Sequence, residues 1–161
     1  MIHNKYAYVD RFGGVYEHSA WVAKQAFDMG PPDPEVLPAV MRKIVENAGS
    51  AAQLKLLRAH PDLAGKLAKS GALTRESTSE QASAGLDQCT ADEFAAFTTL
   101  NERYKTRFGF PYILAVKGRH RTEILENFRA RVNNTLEVEF REALNQVHQI
   151  AALRFEALFD G

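Results

Sequence analysis

Residues 136–159 read LEVEFREALNQVHQIAALRFEALF, and the fold class turns on this stretch. Leu136, Phe140, Ala143, Val147, Ile150, Ala151 and Leu158 fall on one face when each residue advances by about 100°, the period of an α-helix. Asn134, with Glu137 three residues on, offers a cap, so the spacing predicts a last and longest helix from there to about Phe159. Arg154 stands at the centre of the apolar face. A guanidinium there must snorkel out at the helix end or meet an anion, because burying it unpaired is costly. An internal carboxylate would satisfy it. So would a bound carboxylate or carbonyl-rich ligand, which a planar donor fork suits.

Working back from this helix, apolar residues recur at spacings of three and four nearly throughout, with Ala and Leu abundant and few runs of Val or Ile. The reading is an all-α bundle of about eight helices. Ser19 or His18 opens a helix through Trp21, Val22, Ala26 and Phe27, which Gly30-Pro31-Pro32 stops. Asp33 caps a helix with Pro34 at its first position, running to Gly49, and Ser50 caps the next, to Ala59. His60 precedes Pro61, whose ring disfavours α geometry at the residue before it, so His60 marks a break. Pro61 to Lys69 reads as a short helix ending at Gly71, and residues 73–76 as loop. Ser77-Thr78-Ser79-Glu80 reads as a capping box, followed by one or two turns from Gln81 to Leu86. Thr90 or Asp92 opens a helix through Phe94, Phe97, Leu100, Asn101 and Tyr104 that ends before Gly109. Thr122 caps another, through Ile124, Leu125, Phe128 and Val132. Between these two, residues 110–116 (FPYILAV) are the only segment that reads as extended.

The 161 residues suit one domain, 1–161, with no internal repeat. A composition of 45% hydrophobic and 25% charged residues excludes disorder. Lys+Arg 20 against Asp+Glu 20 leaves no net charge, so nucleic acid and anionic membranes are not expected as partners. The longest uncharged apolar run, Phe108 to Val116, is far short of the roughly 20 residues a membrane span needs, and Met1-Ile2-His3-Asn4-Lys5 lacks a signal peptide's apolar stretch. The expected setting is the cytosol. The single cysteine, Cys89, has no neighbour in sequence that would activate it and reads as a small packing residue. His18, His120 and His148 show no ligand spacing, and no metal is expected.

Several residues stand out against this background. His60 is by itself a cap or a core histidine, and Glu80 the back half of a capping box. Taken together they offer an imidazole that can exchange a proton near neutral pH and a carboxylate that could orient it. The extended segment needs partners for its N–H and C=O groups; side chains or water would serve. If those groups face a pocket instead, they could read the edge of a flat, nitrogen-rich heterocycle.

Five motifs then gather in one order: FGGVYEHS at 12–19, HPDLAGK at 60–66, STSEQASAGL at 77–86, FGFPYI at 108–113 and IAALR at 150–154. Each is weak singly, but in this order and spacing the chain resembles the 2-oxo-4-hydroxy-4-carboxy-5-ureidoimidazoline (OHCU) decarboxylases of urate breakdown along almost its whole length. The resemblance implies an all-helical, cofactor-free homodimer that removes carbon dioxide from OHCU and delivers (S)-allantoin. By matching position it makes His60 the proton donor, with Glu80 beside it. It gives substrate contacts to Pro61, to Ser77, Thr78, Ser79, Glu80 and Gln81, to Tyr112, Ile113, Leu114, Ala115 and Val116, and to Arg154. Tyr112 stands where the family often has Phe, a change expected to alter packing more than chemistry. Some relatives end in a peroxisomal tripeptide; this chain ends Phe159-Asp160-Gly161, which favours the cytosolic expectation.

The implied chemistry needs no cofactor, because the departing carboxylate sits on a carbon adjacent to a ring C=N bond that accepts the electron pair. Glu80 and a Ser77 cap are expected to fix the ring hydroxyl and steer His60, which protonates one face. Two rival readings accompany this one. A silent helical binding module would keep the pocket without turnover, and a hydrolase of a ureido compound would use His60, Asp62 and Glu80 around a metal.

Overall fold

The computed structural model describes residues 4–65 and 70–160. Among these, the helical period is realised as eight α-helices and one 3₁₀ turn, with no strand. The helices are α1 Lys5–Phe12, α2 Trp21–Asp28, α3 Leu37–Glu46, α4 Ser50–Arg58, α5 Arg75–Ser83, α6 Ala91–Phe108, α7 Arg121–Arg131 and α8 Leu136–Asp160; the 3₁₀ turn is Leu86–Gln88. The chain divides into two compact units, one of Met1–His60 with Val147–Gly161 and the other of Pro61–Gln146.

The first unit contains α1 to α4 and the last part of α8. Helix α1 lies outside the sequence expectations. Asn4 starts it by accepting the N–H groups of Tyr6 and Ala7 at 2.8 and 3.4 Å, and its short apolar face is Tyr8 and Phe12. Those rings pack edge-on with each other, and Tyr8 against Phe27 and Phe12 against Phe155 extend the aromatic core of this unit. The Asp33-Pro34 start shifts by three residues. Residues 34–36 form a turn whose Val36 and Leu37 N–H groups both donate to the Asp33 carbonyl, and Pro38 occupies the first helical turn of α3. Gly49, at φ 90°, precedes α4, so Ser50 is its first helical residue and not its cap.

The second unit holds α5, the 3₁₀ turn, α6, α7 and the first part of α8. Thr90 and Glu93 form the reciprocal capping box of α6, at 3.1 and 2.9 Å. Three other caps differ from expectation by one or two residues or a turn. Thr74 caps α5 by accepting the Ser77 N–H at 3.2 Å, so Ser77 is interior to the helix and the expected Ser77–Glu80 box and 73–76 loop are replaced by a helix starting at Arg75. His120 replaces Thr122 ahead of α7, and Thr135 accepts the Val138 N–H ahead of α8 while Asn134 donates to Glu139. Of the expected 61–69 helix, residues 61–65 are non-helical with a turn at 63–64, and 66–69 lie outside the described residues. Residues 111–116 belong to neither helix nor strand.

The core of this unit is aromatic around a buried ion pair. Tyr112 stacks on Phe128 with centroids 3.8 Å apart, and Tyr104 packs edge-on against Phe110, Tyr112 and Phe128. Glu139, fully closed from solvent, accepts from Tyr104 Oη at 2.5 Å and Arg131 Nε at 2.9 Å on one oxygen and from Asn134 at 2.9 Å on the other. Such a carboxylate survives burial because each oxygen is hydrogen-bonded and its charge is matched. Burial and the bond to Glu139 push the Tyr104 phenol well above the usual range.

Candidate active site

His60 ends α4: its N–H donates to the Leu57 carbonyl, and Pro61 prevents another turn. The ring folds back, with Nδ1 at 3.0 Å from the Leu56 carbonyl oxygen. A carbonyl can only accept, so Nδ1 carries the hydrogen and Nε2 is the nitrogen left to exchange protons. The side chain is buried, and burial is the largest influence on it, holding the imidazole down at about 4. The Leu56 bond and the charge of Glu17 oppose that trend, while Arg154 and His18 reinforce it. At neutral pH His60 is therefore neutral, with a lone pair on Nε2.

Arg154 is placed by the apolar face of α8 that the sequence revealed, and only 6% of it is exposed. Its Nη1 donates to the Gly14 carbonyl at 2.9 Å and to Glu17 Oε1 at 3.2 Å. Of the two partners left open by the sequence, an internal carboxylate is present. Glu17 belongs to a loop built to present it, in which Ser19 Oγ donates to the Glu17 carbonyl at 2.9 Å and the Ser19 N–H to the Tyr16 carbonyl at 3.0 Å. His18, next in sequence, adopts a left-handed backbone at φ 48°. Glu17, Arg154 and His18, all in the first unit, thus act on His60, and Arg154 and Glu17 pair with each other.

The remaining expected residues lie in the second unit. On α5, Ser77 and Gln81 are buried, Glu80 is half-buried, and Thr78 and Ser79 are exposed. The Gln81 amide is spent on the turn after Pro61, its Oε1 accepting the Ala64 N–H at 2.9 Å and its Nε2 donating to the Asp62 carbonyl at 3.2 Å. Asn101 donates to the Leu63 carbonyl at 3.0 Å, and Lys105 pairs with the Asp62 carboxylate at 2.7 Å. This bracing suits a turn whose Ala64 sits at φ 51°, where a side chain is strained.

All of residues 110–116 are buried. Tyr112 donates to Asn127 Oδ1 at 2.5 Å and lies beneath the Arg131 guanidinium, 4.6 Å from the ring centre, so its side chain is core. Two backbone groups of the segment are taken by side chains: the Ile113 carbonyl accepts from Arg131 at 2.7 Å, and the Ala115 N–H donates to Gln146 at 2.9 Å. Among the described residues no group of three or more His, Cys, Asp or Glu is arranged to hold a metal. The sequence reading assigned no role to Glu17, Asn101, Arg131 or Gln146. Glu17 had a signal, lying inside the FGGVYEHS motif; the others are polar residues on predicted apolar helices, which spacing alone does not distinguish.

The fold and these motifs have counterparts. Over 154 residues the chain is 42% identical to a 2-oxo-4-hydroxy-4-carboxy-5-ureidoimidazoline decarboxylase of Haloferax volcanii, covering 95% of this chain and 89% of that one. A crystal structure of OHCU decarboxylase in the presence of (S)-allantoin superposes with a TM-score of 0.74 at 27% identity, over 91% of this chain and 96% of that chain. A crystal structure of (S)-allantoin synthase also matches with a TM-score of 0.74, at 32% identity and over 96% of this chain, which spans half the length of that one. Since the OHCU decarboxylase family model in turn matches residues 3–156, through every motif quoted above, the chain belongs to the OHCU decarboxylase family.

Proposed function

We propose that this protein decarboxylates OHCU to (S)-allantoin in urate breakdown, and that His60 carries the proton that sets the handedness. The family supports the reaction. The observation that carries the role of His60 is its bond to the Leu56 carbonyl, which leaves Nε2 of a buried, neutral imidazole as the exchanging atom.

A neutral imidazole has no spare proton, so it must collect one before donating it. The substrate offers one on its 4-hydroxyl. When the bond from C4 to the carboxylate breaks, carbon dioxide leaves and the electron pair forms a C4–C5 double bond. The C5–N π pair moves onto the ring nitrogen, which takes a proton from solvent. His60 Nε2 then removes the hydroxyl proton as C4 becomes a carbonyl, and returns it to one face of C5. The ring is its own electron sink, and this reading includes no cofactor.

The same proposal gives substrate contacts to Pro61, Ser77, Thr78, Ser79, Glu80, the backbone of 112–116 and Arg154, with Glu80 steering the imidazole. Gln81 is reassigned to holding the 61–65 turn, which supports the contact made by Pro61. Residues 1–161 are read as a single functional domain, because the family match runs through both units. A cytosolic homodimer completes the reading. No described helix is long and apolar enough to cross a membrane, and Leu136 and Val138 at the start of α8 are more than half exposed.

The test is circular dichroism in the allantoin band while urate is oxidised, with and without the protein. Wild type should produce the (S) signal, and His60→Gln should lower turnover roughly 10²–10⁴-fold while the helical spectrum persists. Wild-type turnover in the variant would remove His60 from the reaction. Racemic allantoin at the spontaneous rate with wild type would mark a binding module, and loss of activity to a chelator would mark the metal hydrolase.

A further inference from the structure

The second charge beside His60 is Glu17, and neither the motif nor the family reading gives it a task. It is 1% exposed, a position where an ionised carboxylate persists only if paired. Its partner is Arg154, 137 residues away in sequence, whose Nη1 it shares with the Gly14 carbonyl. The loop that delivers it is braced from several sides. Ser19 holds the Glu17 and Tyr16 carbonyls. The Tyr16 hydroxyl meets His148 Nδ1 at 2.9 Å, and His148 Nε2 meets Glu46 at 3.0 Å. A carboxylate accepts, so Nε2 of His148 is the donor there, and in the neutral ring the Tyr16 hydroxyl donates to Nδ1. A buried anion on a loop held this firmly, paired with an α8 guanidinium whose charge acts on the reacting imidazole, is placed for more than packing.

We propose that Glu17 is a positioning residue for the decarboxylation: it holds Arg154 in place and cancels the charge that would otherwise oppose proton uptake at His60. This rests on the reading of His60 given above. Within its own unit the imidazole is bonded to the Leu56 carbonyl of α4 and feels the charges of Glu17 and His18 from the loop after α1 and of Arg154 from α8. Glu17 favours the protonated ring and Arg154 disfavours it. With both present, the two opposite charges offset each other at the imidazole. Remove Glu17 alone, and its share of that offset is lost.

The experiment measures the His60 titration midpoint by NMR of the imidazole nitrogens, together with kcat and KM for (S)-allantoin formation, in wild type, Glu17→Gln, Glu17→Asp and the double variant Glu17→Gln/Arg154→Gln. Glu17→Gln should move the His60 midpoint to lower pH and reduce kcat/KM roughly 10- to 100-fold, the size a lost charge-assisted hydrogen bond carries. Glu17→Asp should restore most of both. In the double variant the midpoint should return towards wild type, because the opposing charge has gone too, while turnover stays low for want of Arg154. A purely structural Glu17 would lower stability and leave the midpoint alone; that result, or a double variant with the same low midpoint as Glu17→Gln, overturns the proposal. If Glu17→Gln does not fold, the double variant and Glu17→Asp still decide it. Failure of the wild type to make (S)-allantoin would instead overturn the functional reading beneath it.

Discussion

His60→Gln should make the fold more tolerant of acid while it lowers turnover. The imidazole is held down at about 4 in the fold against 6.5 for an exposed histidine, chiefly by burial. As the pH falls through 6.5 the unfolded chain takes up a proton at this site and the folded chain does not, so the native state loses stability until about pH 4, below which both are protonated. At about 1.4 kcal/mol per pH unit, His60 should cost the wild type about 2 kcal/mol at pH 5, and about 3 kcal/mol at pH 4, relative to pH 7. A glutamine carries no titrating group, so this contribution is missing from its response to acid. Urea unfolding followed by far-ultraviolet circular dichroism, at pH 7 and pH 5, reads the difference. The wild type should lose about 2 kcal/mol more than the variant over that interval, with equal urea dependence at each pH. Parallel losses in the two proteins would show that His60 is not buried as a neutral group, and the proton shuttle proposed for it would fall with that result.

Two further outcomes probe the second unit. Glu139→Ala leaves the Arg131 guanidinium buried without its carboxylate and should cost about 3–5 kcal/mol of unfolding free energy. Tyr104→Phe removes one of several donors to Glu139 and should cost about 1–3 kcal/mol; an equal or greater loss than Glu139→Ala would show that the charge pair is not what this core depends on. Gln81→Ala strips partners from the Ala64 N–H and the Asp62 carbonyl and should destabilise by about 1–3 kcal/mol, whereas Gln81→Glu keeps the acceptor for Ala64 and should lose less. Equal stabilities for the two, by the same urea measurement, would detach Gln81 from the 61–65 turn.

The division between what was legible in advance and what was not follows the range of the interactions involved. Helix identity is local. The 3.6-residue period of α8, the start of α6 at Thr90, one of the two openings read for it, and the stop at Gly109 depend on residues within a turn or two of one another, and all are realised. Cap positions were less legible, because neighbouring candidates satisfy the same rule at nearly the same energy. Thr74 stands one turn before Ser77, His120 lies two residues before Thr122, and Thr135 lies beside Asn134; packing of the helix that follows selects among them. Helix α1 escaped because its apolar face is only two buried residues long.

By itself the sequence determined an all-helical chain, a histidine stranded at a proline break, an arginine on an apolar face and the motifs of the OHCU decarboxylases. The tertiary structure alone decided what those side chains meet. Arg154 finds Glu17 across 137 residues, the Gln81 amide is consumed by the turn after Pro61, and Arg131 and Gln146 take the Ile113 carbonyl and the Ala115 N–H. Periodicity and capping report where a side chain leaves its own helix. Which distant partner it reaches, and so whether a buried charge is paired or an imidazole is neutral, depends on the three-dimensional packing that excludes water from around it.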